Sequence, residues 1–179
     1  MVSEAGAAGV QGEAMQMYAE ASGTPFSIGS IQTGVAIANP LNVSVNVTLD
    51  LRKLDGSSAG ISPFTITVPA NGQIAKFLNE FFPNLALPFQ GVLRITGSAA
   101  VSVAGLRGRV NERNDFLITT TSPSPIVSSS VSSSLVFPHL VDGGGYTTQI
   151  IVVGNGSGDI TGTLQFFGQS GLPLPLNFR

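Results

Sequence analysis

The sequence predicts an all-β fold, an antiparallel β-sandwich of Ig-like type with about ten strands and at most one short helical turn. Three features predict it. Short segments alternate between apolar and polar residues. Turn signals recur roughly every eight to twelve residues. Helical periodicity is almost missing along the chain.

The clearest element is NVSVNVTLDL. Val43, Val45, Val47, Leu49 and Leu51 share one face; Asn42, Ser44, Asn46, Thr48 and Asp50 share the other. Side chains alternate across a strand, so this segment buries one face and wets the other. Antiparallel sheets with one solvated face read this way.

The other elements follow in chain order. Residues 1–14 are Gly/Ala-rich and without period, and read as a flexible arm. MQMYAE and TGVAIANP are strands, the second closed by Asn39 and Pro40. KLDGSSAG turns the chain at Asp55-Gly56. FTITVP is a strand and ANG a turn. QIAKFLNEFFP is a strand running into one helical turn near Leu78–Phe82, closed by Pro83. GVLRITG and AAVSVAGLRG predict a hairpin with Gly97 and Ser98 in its bend, and DFLITTT a further strand.

Residues 15–121 therefore form the main sandwich, and the Ser/Pro-rich residues 122–134 a loop or linker. Residues 135–179 then supply LVFPHLV, TTQIIVVGN and GTLQFFGQ as strands. The terminal GLPLPLNFR reads as an edge strand, because its prolines cannot donate to a ladder.

A weak internal repeat runs through this order. A shift of 115 residues carries Thr33 onto Thr148, Thr48 onto Thr163, Leu49 onto Leu164 and Gly56 onto Gly171. The second copy stops early and lacks counterparts of three strands of the first. It is expected either to complete the sandwich within the chain or to pair with another subunit by strand addition.

Composition narrows the function classes. Apolar residues make up 42% of the chain, enough for a sizeable core, whereas charged residues make up only 10%. The usual charged share is about a quarter. The polar surface must come from hydroxyl and amide side chains, which suits an extracellular or cell-surface protein. The net charge is −2 and Lys53 and Lys76 are the two lysines, so a nucleic-acid footprint is missing. Cysteine is absent, which excludes disulfides and thiolate metal sites. Nothing approaches the run of about 18 apolar residues of a membrane span. MVSEAGAAGVQGEAM is not a signal peptide; an export signal removed earlier, or a piece of a longer chain, is expected.

Six ordered segments carry a resemblance: GSIQTGVAIANP, VPANGQIAKFL, FQGVLRITG, GLRGRVNERNDFLITTT, FPHLVDGGGYTTQ and GTLQFFGQSGLPL. Over roughly residues 15–179 the chain resembles an uncharacterised module near the C-termini of long secreted proteins of acidobacterial-type soil bacteria. The resemblance implies export, a β-rich fold and an appended or surface role. It implies no catalytic residues.

Candidate sites are few. His139 is the sole histidine and precedes Asp142 by three residues. A strand would point them to opposite faces, and no nucleophile-elbow pattern accompanies them. A structural role or a binding contact is expected, with no catalytic residue, no metal and no cofactor. Asp142, Gly143, Gly144 and Gly145 read as a structural turn, with Tyr146 behind it. The anion-nest alternative lacks a following helix and a lysine. Asp55, Asp142 and Asp159 lie beside glycines without calcium-loop spacing.

RGRVNERND is the one charge cluster. Arg107, Arg109, Asn111, Glu112 and Arg113, with Asp115, form a loop that could bind anions or acidic sugars. Alternatively the two signs pair with each other at a solvated hairpin tip.

The expected function is a non-catalytic extracellular structural or adhesive module. The alternatives are a self-assembling fibre or surface-layer subunit, and a carbohydrate- or anion-binding domain using residues 107–115. Expected partners are a second copy, through the N-terminal arm or C-terminal edge strand, or a surface polysaccharide.

Overall fold

A computed structural model describes residues 8–126, 134–141, 143–154 and 161–174. The fold is all-β and antiparallel. Its strands are β1 (Val10–Ser22), β2 (Ile31–Ala38), β3 (Val45–Lys53), β4 (Phe64–Val68), β5 (Gln73–Phe77), β6 (Phe89–Val110), β7 (Phe116–Thr121) and β8 (Ser124–Pro125). One helical turn, α1 (Leu78–Phe81), follows β5 where the sequence predicts it. These are eight strands among the described residues, against about ten expected.

The sheet runs β4-β3-β6-β1-β2-β5, with β7 beside β6 and β8 beside β1. The length of β6 makes this a sandwich-like fold. Its first half, from Phe89 to Gly97, lies between β1 and β3. Its second half, from Ser102, pairs with β2 on one side and, on the other, with β1 as far as Val103 and with β7 from Gly105 to Val110. β6 therefore belongs to both layers. β1 bends beside it, with a register shift between Gly12 and Ala14. A bulge at such a point re-aims a strand without ending it.

The expected hairpin at Gly97-Ser98 is thus corrected to a bend in one 22-residue strand. A reversal needs a two-residue turn matched to strand twist. Here the chain keeps its direction, and pairing passes from β3 at Gly97 to β2 at Ser102.

The core lies between the layers. Met15, Met17 and Ala19 of β1 meet Val35 and Ile37 of β2 there, together with Leu93, Ile95, Val101 and Val103 of β6. Val45, Val47, Leu49 and Leu51 are at most 1% exposed, as the alternation predicts. Val43 is not: it is 59% exposed, because β3 begins only at Val45. Leu78, Phe81 and Phe82 close one end of the core from α1 and its exit.

Asn39 fastens the crossover from β2 to β3. Its Nδ2 donates to the carbonyls of Val43, Val68 and Pro69 at 2.7, 3.2 and 3.0 Å. Its Oδ1 accepts from Leu41 N–H at 3.0 Å. A buried amide fully engaged with backbone fixes where the loop enters the fold.

The flanking regions depart from expectation. Strand β1 starts at Val10, so residues 10–14 of the expected arm lie in a strand; residues 1–7 lie outside the described set. Ser124 and Pro125 of the expected linker pair with Gln16 and Met15, and residues 127–133 lie outside the described set. The strands expected in LVFPHLV, TTQIIVVGN and GTLQFFGQ do not form among the described residues. Only the isolated bridges Gly143–Tyr146 and Phe167–Pro173 occur there. A strand needs a partner edge, and the sandwich closes over its own core without these segments. Of the expected edge strand GLPLPLNFR, residues 175–179 lie outside the described set.

Candidate functional site

The charged segment sits where β6 turns into β7. Asn111 organises the turn: its N–H donates to Asp115 O at 3.0 Å. Its Oδ1 accepts from the N–H groups of Arg113 and Asp115 at 3.0 and 2.8 Å. Its Nδ2 donates to Asp115 Oδ2 at 3.2 Å. Asn114 takes a left-handed conformation, φ 62°, which asparagine tolerates.

The arginines hold carboxylates of the chain itself. Arg109 pairs with Glu112 at 2.6 Å, and Arg113 with Asp115 at 3.5 Å. Arg107 points away from the turn and pairs with Glu20 of β1 at 3.0 Å. Two of the three arginines therefore pair within the segment, and the third pairs outside it, on β1.

Glu20 is the residue that sequence reading misses here. It is 8% exposed and lies beside Gln90, whose Nε2 donates to Oε1 at 3.3 Å. Backbone anchors it too: Glu20 N–H donates to Thr33 Oγ1 at 2.8 Å, and that hydroxyl donates back to Glu20 O at 2.9 Å. Burial, and then the adjacent Glu20 carboxylate, push the Tyr18 hydroxyl above its ordinary pKa of 10.0, against a smaller opposing pull from Arg107. No local motif signals this; only the register of β1 against β6 and β2 brings the groups together.

On the outside of the second layer, Phe26, Phe77 and Phe116 form an aromatic cluster with centroids 5.7 to 6.5 Å apart; Phe77 meets both other rings edge to face, and Phe26 and Phe116 are tilted. Gly34 and Gly108 make room for the rings of Phe77 and Phe116. Phe26 is 59% exposed.

The described residues between 134 and 174 form the second candidate site. Gly143 and Tyr146 exchange backbone hydrogen bonds of 3.0 Å, and Gly143, Gly144 and Gly145 all have positive φ. Such a turn needs glycine, so the turn expected there is present; Asp142 lies outside the described residues. Tyr146 is 71% exposed on this turn, apart in the chain from the arginine segment. His139 is exposed and lies in irregular chain rather than in the expected strand.

Several apolar side chains among the described residues of this region face solvent, whereas Ile150, Ile151, Val153 and Phe166 are half-buried. Val136 is 84% exposed, Leu135 64%, Phe167 59%, Val152 55% and Leu164 54%. One tie to the sandwich is the bond from Gln16 Nε2 to Gly154 O at 3.1 Å. A second turn closes near the end: Gly168 N–H donates to Leu172 O at 2.8 Å and Leu174 N–H to Phe166 O at 2.8 Å.

Strand β4 offers a matching edge. It pairs with β3 and ends the strand order. Its sequence, FTITV, carries no lysine and no proline. Lysine and proline are the usual guards of an open edge.

Among the described residues no group of three or more His, Asp or Glu side chains could hold a metal ion. No helix there is long and apolar enough to cross a membrane.

No protein-family model and no curated protein matches the chain. A solved structure, that of Thermotoga maritima 1070, is similar over 62% of this chain and 92% of that one, with 10% sequence identity and a TM-score of 0.48.

Proposed function

We propose that the chain is a non-catalytic, extracellular structural or adhesive module that attaches to a second copy of itself by strand addition. Residues 161–167 of one copy would extend the sheet of another at the open edge of β4.

The observation that carries this reading is the exposure of Leu135, Val136, Phe137, Val152, Leu164 and Phe167 among the described residues between 134 and 174, beside a sandwich already closed without them. Folding does not leave that much apolar surface wet without a use.

The pattern of the donor supports the choice of edge. In TGTLQFF, Leu164 and Phe166 share one face and Thr163 and Gln165 the other. In β4, Phe64, Ile66 and Val68 lie opposite apolar β3 residues, and Thr65 and Thr67 lie on the hydroxyl face. The internal repeat sets Thr163 and Leu164 on Thr48 and Leu49, which are the β3 partners of Thr65 and Phe64. The donor would thus repeat on the free edge of β4 what β3 does on the other.

The extracellular setting rests on low charge, absent cysteine and hydroxyl-rich strand faces, and agrees with the resemblance to a secreted accessory module. Anion binding at residues 107–115 is the weaker reading, since each arginine there already holds a carboxylate.

Sedimentation over a hundredfold concentration range tests the assembly. The full chain is expected to dimerise or form chains, and a chain ending at residue 126 to stay monomeric and folded. A full chain that remains monomeric at millimolar concentration overturns it.

A further inference from the structure

We propose that the outer face of the layer formed by β4, β3 and the first half of β6 binds an acidic polysaccharide. Arg94 takes the carboxylate of a uronic-acid sugar, and rows of threonine take its ring hydroxyls. The site is separate from the arginine turn, and it does not depend on strand addition at the β4 edge.

Arg94 differs from the other described arginines. Arg52, Arg107, Arg109 and Arg113 each hold a carboxylate of the chain. Arg94 is half-buried, yet among the described residues it has no ion pair and no hydrogen bond. A charge taken partly out of water is ordinarily paired. Its Nε is covered and its terminal nitrogens are not, so the guanidinium presents its outer end, with most of its N–H donors, to solvent.

Register explains why no group of the chain reaches it. Asp50 on β3 is the Cα partner of Arg94, but its Oδ2 is held by Arg52 at 2.7 Å. On the other side stands Gln16 of β1, which is 3% exposed and donates to Gly154 O at 3.1 Å. The strip around Arg94 is therefore walled toward β1 and exposed toward β4.

The neighbouring rows supply hydroxyls. Thr96 follows Arg94 on the same face of β6; it is the partner of Thr48, and Thr48 is the partner of Thr65. These threonines cross three adjacent strands in one line, about 4.8 Å apart. Asn46 and Thr67 form the next row, joined by a bond of 2.8 Å. Asn46, Thr65, Thr67 and Thr96 are exposed, and the Thr96 hydroxyl bonds no other described residue.

These groups define the ligand. One arginine beside a paired aspartate favours a singly charged carboxylate over a doubly charged phosphate, which Asp50 would repel more strongly. Hydroxyls that both donate and accept match ring hydroxyls, and a pyranose ring is comparable in width with one strand spacing. A peptide would find no apolar pocket in these rows. A polymer that repeats the same weak contact gains from many copies of such a face.

The probe is trigalacturonate, titrated into the full chain and followed by NMR. Its fully methyl-esterified form and inorganic phosphate are the comparators. Trigalacturonate is expected to shift the Arg94 side chain and the Thr96 N–H with a Kd of about 1 mM. The ester and phosphate should each bind at least fivefold more weakly.

Arg94→Gln should weaken trigalacturonate at least tenfold without lowering the unfolding midpoint, because no bond of the chain is lost. Thr96→Val should weaken it about threefold, and Arg113→Gln, on the arginine turn, less than twofold. Arg94→Gln should also keep the parent's sedimentation behaviour, so sugar binding and self-association are read separately. The proposal is overturned if trigalacturonate at about 20 mM moves neither Arg94 nor Thr96. It is also overturned if Arg94→Gln binds as the parent does. Phosphate binding as tightly as the sugar would reduce the site to a bare anion contact, and equally tight binding of a polyaspartate peptide would give it to a protein partner; either result overturns it as well.

Discussion

Arg107 donates from both Nε and Nη2 to one oxygen, Glu20 Oε2, at 3.1 and 3.0 Å, across 87 residues of sequence. The side chain of Glu20 is 11% exposed and that of Arg107 33%. Removing the arginine leaves a largely buried carboxylate without its counter-charge, beside the long Gln90 bond. Arg107→Ala should therefore cost about 1–2 kcal/mol, part of the full buried-pair penalty because the arginine is partly solvated. Glu20→Gln/Arg107→Ala should cost less than the sum of the two single changes. Urea unfolding of the four proteins measures this; strictly additive losses would show the two side chains to be uncoupled.

Tyr18 gives that network a pH signature. Its native pKa is raised above 10.0, first by burial and then by the Glu20 carboxylate. Above pH 10 the unfolded chain releases the phenol proton while the native chain keeps it. Stability from this group is thus fully present below pH 10 and is lost as pH rises toward the native value. Tyr18→Phe should flatten the decline in unfolding free energy above pH 10. An unchanged slope would assign the decline to other groups.

Asn39 shows how strongly one side chain can specify a crossover. Its Nδ2 faces three backbone carbonyls within 3.2 Å. Asn39→Ala should cost about 2–3 kcal/mol by leaving buried carbonyls unpaired. Asn39→Asp keeps the shape but aims a carboxylate oxygen at those carbonyls. It should cost more than alanine at pH 7 and recover part of the loss at pH 4, where the protonated acid can donate. Equal stability of the two variants at both pH values would contradict this geometry.

The sandwich was readable wherever local pattern and tertiary environment agree. Val45 to Leu51 alternate because one face packs in the core, and Gln73 to Pro83 switch from strand to helical turn within a sequence that shows both signals. The bend of β6 was not readable, since Gly97-Ser98 satisfies the chemistry of a hairpin turn equally well. What decides is the pairing of β3 and β2 on successive halves of the strand, and that information lies far away in the chain, at Val47 for Gly97 and at Ala38 for Ser102. Strand propensity in residues 147–155 and 162–169 was legible and yet forms no strand among the described residues, because propensity needs an edge to pair with. The site behaved similarly. Opposite charges at Arg109 and Glu112 are neighbours in sequence and their pairing could be foreseen, whereas Glu20 could be reached only through register.

Strand addition at β4 makes the most direct prediction. Thr65 lies on the solvent face of β4 and bonds Thr48 Oγ1 at 3.0 Å, so Thr65→Lys should cost the monomer less than about 1 kcal/mol. It nevertheless places a charge on the acceptor edge, which opposes a further strand. Leu164 is 54% exposed, so Leu164→Lys should leave the sandwich unchanged while removing an apolar contact from the donor strand. Each variant alone should weaken association at least tenfold in sedimentation. Mixing the two should restore a heterodimer of limited size, because Leu164→Lys keeps an intact β4 edge and Thr65→Lys keeps an intact donor. Such mixed complexes cannot propagate through either defective surface. Complementation is therefore the decisive reading: two variants that stay monomeric when mixed, while both remain folded, would place any association of the parent on some other surface.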